Sequence, residues 1–468
     1  MLLSLLHNQT RLIDARTGTE LGLGHFVAEV EQRARAFREA GLGPGCCAVV
    51  ARPAPVDYLR DIFALWEAGV MAVAVNPGIT QEERSNVMRA TGASALLDED
   101  AISLAAAIVS TGSSPLGPDD PALTLMTSGT TGRPKGIVHT QRSLSARVAL
   151  NVAAIGQADL RTSLCVLPLH FGHGLIGNIF TVMAAGGTLI LWPQPSIDEM
   201  RGFGTLVDTR RITFMSSTPS FWTVAMRLSM RPVHVMRRVH VGSAPLSVEH
   251  WRAIAGWTGT RNVFNMYGMT ETANWIGGAS LEDPGAADGL VGKPWGGSAA
   301  VLDESGNVLR EGSGEVLVAT PSIMSGYLGM EAETRAAFHG SWLRTGDTGR
   351  IDADGCLTLV GRIKNEINRG GVKVPAEEID MLLERHPAVR EACAFALPDP
   401  IAGEAVAAAI VLAENADIPA LRAWCRERCR AEAVPSKIFV LDAIPRNDRG
   451  KIVRDRVREA ALASGPGA

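Results

Sequence analysis

A chain of 468 residues exceeds what one ordinary hydrophobic core serves, so two or three domains are expected. Apolar residues at 46% against 20% charged, with 49 Gly and 25 Pro, exclude wholesale disorder and describe a loop-rich globular protein. A net charge of -4, with no basic run interleaved with aromatics, excludes a general attraction for nucleic acid or an anionic membrane.

The opening MLLSLLHNQTR has no basic residue ahead of its short apolar run, and no stretch approaches membrane-spanning length; a cytoplasmic protein without a span is expected. From about Phe26 to Gly186, apolar runs at Cys47 to Ala51, Val70 to Val75, Ala122 to Met126 and Leu164 to Leu167 alternate with helical patterns. That alternation is the mark of helix-covered parallel sheets, so the fold class is α/β. No segment of 20 to 50 residues repeats, which sets solenoids and propellers aside. The seven cysteines show no CxxC pair and read as reduced packing residues; Cys425 and Cys429 are four apart on an expected helix, but zinc would need two further ligands.

The run Thr127-Ser-Gly-Thr-Thr-Gly-Arg-Pro-Lys-Gly136 follows a buried strand. Three glycines let the backbone turn tightly, so its amides and the hydroxyls of Thr127, Ser128, Thr130 and Thr131 converge on an anion, with Lys135 adding a point charge. An ordinary surface turn uses two or three such residues, not ten ending in lysine. Only Arg133 and Pro134 separate Gly132 from Lys135, so the Walker spacing does not fit and a P-loop kinase or GTPase is disfavoured.

Further along come Val241-Gly-Ser-Ala-Pro-Leu246, Asn265-Met-Tyr-Gly-Met-Thr-Glu271, Gly314-Glu-Val316, Thr345-Gly-Asp347 and Gly361-Arg-Ile-Lys364. Gly and Asp turns after Thr345 mark a change of composition, and a domain boundary is placed near Arg362, giving units 1–362 and 363–468. In the second unit Pro375 starts a helix with Glu377 and Glu378 in its first turn and Ile379, Leu382 and Leu383 as its apolar stripe. Strands near Ala392 to Ala396 and Val406 to Leu412, and a helix from Pro419 to about Arg430, complete a small α+β unit large enough for its own core. The chain closes with Pro445-Arg-Asn-Asp-Arg-Gly-Lys451 and an Ala-Ser-Gly-Pro-Gly-Ala tail expected to stay unfolded.

Together and in this order, these segments closely resemble the superfamily of acyl-CoA synthetases, peptide-synthetase adenylation domains and luciferases, over essentially the whole chain. The resemblance implies a large N-terminal AMP-binding domain of helix-covered sheets with a small β-barrel-like part, followed by a mobile C-terminal domain. It implies attack of a carboxylate on the α-phosphorus of ATP with loss of pyrophosphate, then transfer of the acyl group to a pantetheine thiol. Negative charges must be neutralised for this, so ATP is expected to act with Mg2+. By resemblance Glu271 holds the magnesium and Thr270 bonds the α-phosphate, although Thr-Glu alone would serve equally as a helix cap. The phosphate loop comprises Thr127, Ser128, Gly129, Thr130, Thr131, Gly132 and Lys135. Nucleoside recognition falls to Gly242, Ser243, Ala244, Pro245, Asn265, Met266, Tyr267, Gly268, Asp347 and Arg362. Lys451 is implied to bridge the substrate carboxylate and α-phosphate, Lys364 to be the hinge, and Gly370 and Gly371 to meet the thiol arm.

The acid pocket implied by the resemblance is lined by His170, Phe171, His173, Asn178, Phe221, Trp222 and Trp275, with Met266 and Gly268 adjoining. Many relatives read Leu-Phe-His where this chain reads Leu169-His170-Phe171, so the aromatic and imidazole positions are exchanged. No Asp or Glu occurs from Arg161 through Leu189 or from Arg210 through Met230, which argues against an α-ammonium acid needing a buried counter-charge. The acceptor is coenzyme A or, alternatively, the phosphopantetheine of an external carrier protein; a degenerate nucleotide-binding regulator would lack the chemical groups that are present here. Arg422, Arg426 and Arg430 recur every four residues and read as a solvated basic face before an acidic carrier or coenzyme A phosphates.

Overall fold

The computed structural model describes residues 6–99, 101–104, 112, 114–127, 135–369, 372–413, 417–447 and 450–465. The expectations placed on Ser128 to Gly132 and on Gly370 and Gly371 fall outside these residues, and Thr127 is described by its backbone alone. Among the described residues the chain forms four sheets.

Short runs of Val, Ala and Leu make the buried strands Cys47–Ala51 and Met71–Ala74, which pair in parallel at the centre of the first sheet. One side of that sheet continues through Pro121–Thr127, Lys135–Thr140 and Gly326–Tyr327. The strands Thr162–Cys165, Thr188–Leu191, Phe214–Ser217, Arg238–Val241 and Val263–Gly268 form the parallel body of the second sheet. Strands Arg11–Asp14 and Glu20–Gly22, too short and polar-ended to stand out in the sequence, complete its far edge. One apolar cluster runs between the two sheets, with Phe26, Phe63, Trp66 and Phe180 interlocked edge to face.

The third sheet is antiparallel and includes Gly312–Ala319, Trp342–Ile351 and Leu357–Arg362, the expected barrel-like part. Its core cluster also contains Tyr267 and Ile276, so it is fastened to the end of the second sheet. The fourth sheet begins at Glu366–Arg369 and carries the long hairpin Val389–Asp399 with Gly403–Leu412. Its two faces hold separate cores, and all residues of both lie at or beyond Ile367. We place the division between the two units at Arg362, where the third sheet ends and a single 3-10 turn, Ile363–Asn365, follows.

Two expectations for the C-terminal unit change. The helix after Asp417 runs Ile418–Arg426, not to Arg430, because the chain turns at Glu427. Arg430 therefore leaves the face shared by Arg422 and Arg426 and pairs with Glu378 at 3.2 Å. The final helix, Arg454–Ser464, takes in the first two residues of the expected tail, with Val457 and Ala461 buried.

Candidate active site

The antiparallel pair Pro121–Thr127 and Lys135–Thr140 sets Thr127 opposite Lys135, so the Gly-rich run connects the ends of two neighbouring strands. Lys135 lies 4.7 Å from the centre of the Tyr327 ring, a cation-π contact. The Tyr327 hydroxyl donates to Glu271 Oε1 at 3.0 Å. Burial, with Glu271 beside it, pushes the phenol pKa well up and keeps it the donor. A tyrosine thus joins the phosphate-loop lysine to the carboxylate expected to hold magnesium.

Thr270 and Glu271 sit in a 3-10 turn, Thr270–Thr272, closed by Ala273 in the left-handed region at φ 65°. The turn is pinned from beneath by His139, whose Nε2 is 2.7 Å from the Thr270 carbonyl. A carbonyl only accepts, so that nitrogen carries the proton. Burial lowers the His139 pKa to about 4, against the pull of that hydrogen bond.

Asp347 and Arg362 face each other across paired strands of the third sheet, with Arg362 Nε 2.6 Å from Asp347 Oδ1. The other carboxylate oxygen accepts from the Tyr267 hydroxyl at 2.6 Å. Burial raises the Asp347 pKa while the Arg362 charge opposes that rise. A carboxylate offers about four lone-pair directions, so this one keeps acceptor capacity after both contacts. Asn265 is buried and its amide donates to the Leu290 carbonyl at 2.9 Å, leaving its oxygen as the group available to other partners.

The loop after Arg238–Val241 places Ser243 at φ 69° and brings its hydroxyl 2.7 Å from His173 Nδ1. His173 Nε2 is 2.6 Å from Ser216 Oγ, and the ring meets Trp275 edge-on at 5.6 Å. A Cβ on Gly242 would lie 3.2 Å from Met266 and 3.4 Å from the His173 ring, so the glycine admits the imidazole. Burial, and then the charge of Lys451, lower the His173 pKa to about 3 and hold the ring neutral. Lys451 comes from the other unit: Arg446 and Ile452 form an antiparallel bridge, Asn447 and Lys451 hydrogen-bond across the turn, and Gly450 lies against Ser220.

Not every expected pocket residue converges here. Trp222 is fully buried, donates to Ser217 at 2.7 Å and packs against Phe203, Phe221 and Trp257, whereas Trp275 packs against His173, His240 and Trp295. The two tryptophans belong to different ring clusters. Asn178 is buried with its amide donating to Leu164, a contact between helix and sheet. His170 lies against Phe171 with the rings tilted at 57° and borders a small cavity with Arg52, Tyr58 and Gln194. Sequence reasoning did not find Tyr327, His139 or Ser216, since none belongs to a motif and their roles appear only when strands distant in sequence are brought together.

Lys364 lies in the 3-10 turn between the units. Burial and the neighbouring Arg362 charge lower its pKa, while Asp455, Glu377 and Asp347 act the other way. Asn365 donates to Glu377 at 2.5 Å, and a Cβ on Gly361 would lie 2.9 Å from Pro375. Further contacts across the junction include Arg385 with Asp288 and, at 3.5 Å, Lys373 with Glu304. Among the described residues no cluster of three His, Cys, Asp or Glu forms a protein-only metal site, and no helix is long and apolar enough to cross a membrane.

The family model described as AMP-binding enzyme matches residues 7–328, and that of the AMP-binding enzyme C-terminal domain matches residues 378–451. The sulfoacetate-CoA ligase of Cupriavidus necator is 36% identical over 73% of this chain and 67% of its own length. The oxalate-CoA ligase of Arabidopsis thaliana is 29% identical over 92% of this chain and 91% of its own. The ATP-bound crystal structure of MatB from Rhodopseudomonas palustris superposes with a TM-score of 0.87 at 25% identity, covering 98% of each chain.

Proposed function

The chain belongs to the AMP-binding enzyme family and is an AMP-forming acid-thiol ligase; we propose that its acid is short, carries a second anionic group and is joined to coenzyme A. In the first half-reaction a carboxylate oxygen attacks the α-phosphorus of ATP, and the bond to the β-phosphate breaks as pyrophosphate leaves. In the second, the thiolate attacks the acyl carbonyl and AMP leaves.

One observation above the others supports the assignment of roles: the turn bearing Lys451 reaches from the C-terminal unit to Ser220, and the Lys451 charge acts on His173. Lys451 would there meet both the incoming carboxylate and the α-phosphate, neutralising charge as the bond forms. Lys135 would hold the outer phosphates and Thr270 the α-phosphate. Glu271 would hold magnesium, which offsets phosphate charge; one carboxylate with phosphate and water oxygens is a donor set this ion takes. Asp347 would accept from the ribose hydroxyls while Arg362 and Tyr267 fix its orientation. Domain rotation at Lys364 would then withdraw Lys451 and admit the thiol.

The acid class is supported by the chemistry of the acids named for two relatives and by the polar groups around His173. Oxalate and sulfoacetate are two-carbon acids with a second carboxylate or a sulfonate. In this chain the hydroxyls of Ser216 and Ser243 and the His173 ring make a compact polar group, with Trp275 edge-on to the imidazole. Release of AMP should be compared with oxalate, sulfoacetate, acetate, benzoate and ferulate. A short dianionic acid should lead acetate in kcat/KM by about tenfold or more, the scale of one charged hydrogen bond. A lead for benzoate or ferulate would overturn the acid class, and no AMP with any acid would count against the assigned roles as well.

A further inference from the structure

The turn Thr270–Thr272 is tied down at each of its three carbonyls. That of Thr270 meets His139 Nε2, that of Glu271 accepts from the Met324 amide at 2.8 Å, and that of Thr272 accepts from the Ser322 hydroxyl at 2.9 Å. Ser322 is itself held by Arg147, whose Nε and Nη2 donate to its oxygen at 3.0 and 2.7 Å. A hydroxyl carries one proton; with that proton on the Thr272 carbonyl, Ser322 offers the guanidinium only lone pairs, so the chain of bonds runs from Arg147 through Ser322 to Thr272. Nη2 also donates to Thr320 Oγ1 at 2.9 Å, and Thr320 and Ser322 follow the strand Gly312–Ala319. One side chain thus joins the helix Gln141–Ile155, the third sheet and the turn that bears Glu271.

Arg147 is fully buried, and its partners are two hydroxyls and, at 3.5 Å, the Trp295 carbonyl. Among the described residues no carboxylate forms an ion pair with it. Burial lowers its pKa only to about 10, so it stays charged at neutral pH. An interior cation without a counter-charge is costly, and a hydrophobic side chain would fill the same space without that cost. The charge is felt at the other end of the turn as well: after burial, Arg147 is what lowers the His139 pKa, which keeps that ring a neutral donor to Thr270. We propose that Arg147, acting through Ser322, is a positioning residue for the triphosphate of ATP, and that the bound phosphates supply the negative charge the protein withholds. This rests on the roles proposed above for Thr270 and Glu271.

Calorimetry on the full chain tests it by measuring ATP affinity with and without Mg2+ for wild type, Arg147→Gln, Arg147→Lys, Ser322→Ala and Glu271→Gln. Arg147→Gln should weaken ATP binding about tenfold or more, the scale of losing a support behind a ligand-holding group. Arg147→Lys keeps the charge but not the fork and should recover part of that loss, and Ser322→Ala should weaken binding several-fold. In pyrophosphate exchange the KM for ATP should rise in these variants while the KM for the acid stays put. An arginine that merely filled the core would change the yield of folded protein and leave ATP affinity alone. Wild-type affinity in folded Arg147→Gln overturns the proposal, as does a loss that lysine does not reduce; should Arg147→Gln not fold, wild-type affinity in Ser322→Ala does so. Glu271→Gln separates this inference from the reading beneath it. If that variant keeps the full effect of Mg2+ on ATP binding, the roles assigned to the turn fail; if it loses the effect while the Arg147 and Ser322 variants bind normally, this inference alone fails.

Discussion

The walls proposed here for the nucleotide and for the acid are built by opposite means. On the nucleotide wall, charges are already in place and held by partners: Asp347 between Arg362 and Tyr267, and Glu271 against Tyr327, which also lies beneath Lys135. On the acid wall the central titratable group is an imidazole held neutral between two serine hydroxyls and an indole edge. Fixed charge is costly to reorganise, so it is worth preorganising where phosphate charge moves during reaction. The proposed acid wall would chiefly set size and hydrogen bonding, tasks that neutral groups perform without the desolvation cost of a buried charge.

The strongest way to break this contrast is to remove the cation that crosses it. Lys451→Ala should lower adenylate formation on the order of 100- to 1000-fold, the scale of losing one positioned charge-stabilising donor. Thioester formation from preformed acyl-adenylate should fall far less if, as proposed, the small domain rotates between the two steps. Wild-type pyrophosphate exchange in the variant would remove Lys451 from the mechanism.

A second substitution tests whether the nucleotide wall depends on its supports. Tyr327→Phe keeps the ring beneath Lys135 but deletes the hydrogen bond to Glu271. Supports of a metal-holding carboxylate are worth about 10- to 100-fold in affinity or activity, so the magnesium dependence should move to higher concentration by about that factor. An unchanged magnesium profile would mean that Glu271 is oriented by its 3-10 turn alone. Lys364→Pro addresses the junction in a graded way: it should slow thioester formation several-fold more than adenylation, at a scale of about tenfold or less. Equal slowing of both steps would deny the hinge its role.

These regions also differ in how much of them the sequence discloses. The wall proposed for the nucleotide depends on backbone turns and on residues at fixed offsets from them, as in Thr345-Gly-Asp347 and Asn265 to Glu271, so short motifs suggest it. Alternating apolar runs likewise disclose the helix-covered sheets, because burial on both faces demands continuous Val, Ala and Leu. The acid wall is assembled from Ser216, Ser243, His173 and Trp275, which four separate segments supply. No local pattern distinguishes Trp275, which faces His173, from Trp222, which fills the core against Phe203 and Trp257. The same holds for the arginines of the last domain: periodicity carried Arg430 onto the face of Arg422 and Arg426, but the turn at Glu427 redirects it to Glu378.

The gentlest prediction concerns the support beneath Thr270 and sharpens the contrast from below. His139 is fully buried on a strand of the first sheet, and its protonated Nε2 donates to the Thr270 carbonyl while Nδ1 lies 3.3 Å from the Ser143 hydroxyl. Its native pKa is lowered by burial to about 4, whereas the unfolded chain binds that proton near 6.5. Between those values the unfolded state holds more protons than the native one, so stability is intact above about pH 6.5 and declines as pH falls toward 4. From pH 7 to pH 5 this one group should account for about 2 kcal/mol, read as a lowered urea midpoint. His139→Gln keeps a donor for Thr270 and has nothing to protonate, so turnover at neutral pH should be nearly intact and the decline in midpoint shallower. A variant with the wild-type slope would place the acid sensitivity elsewhere, with His173, neutral for the same reason, next in line.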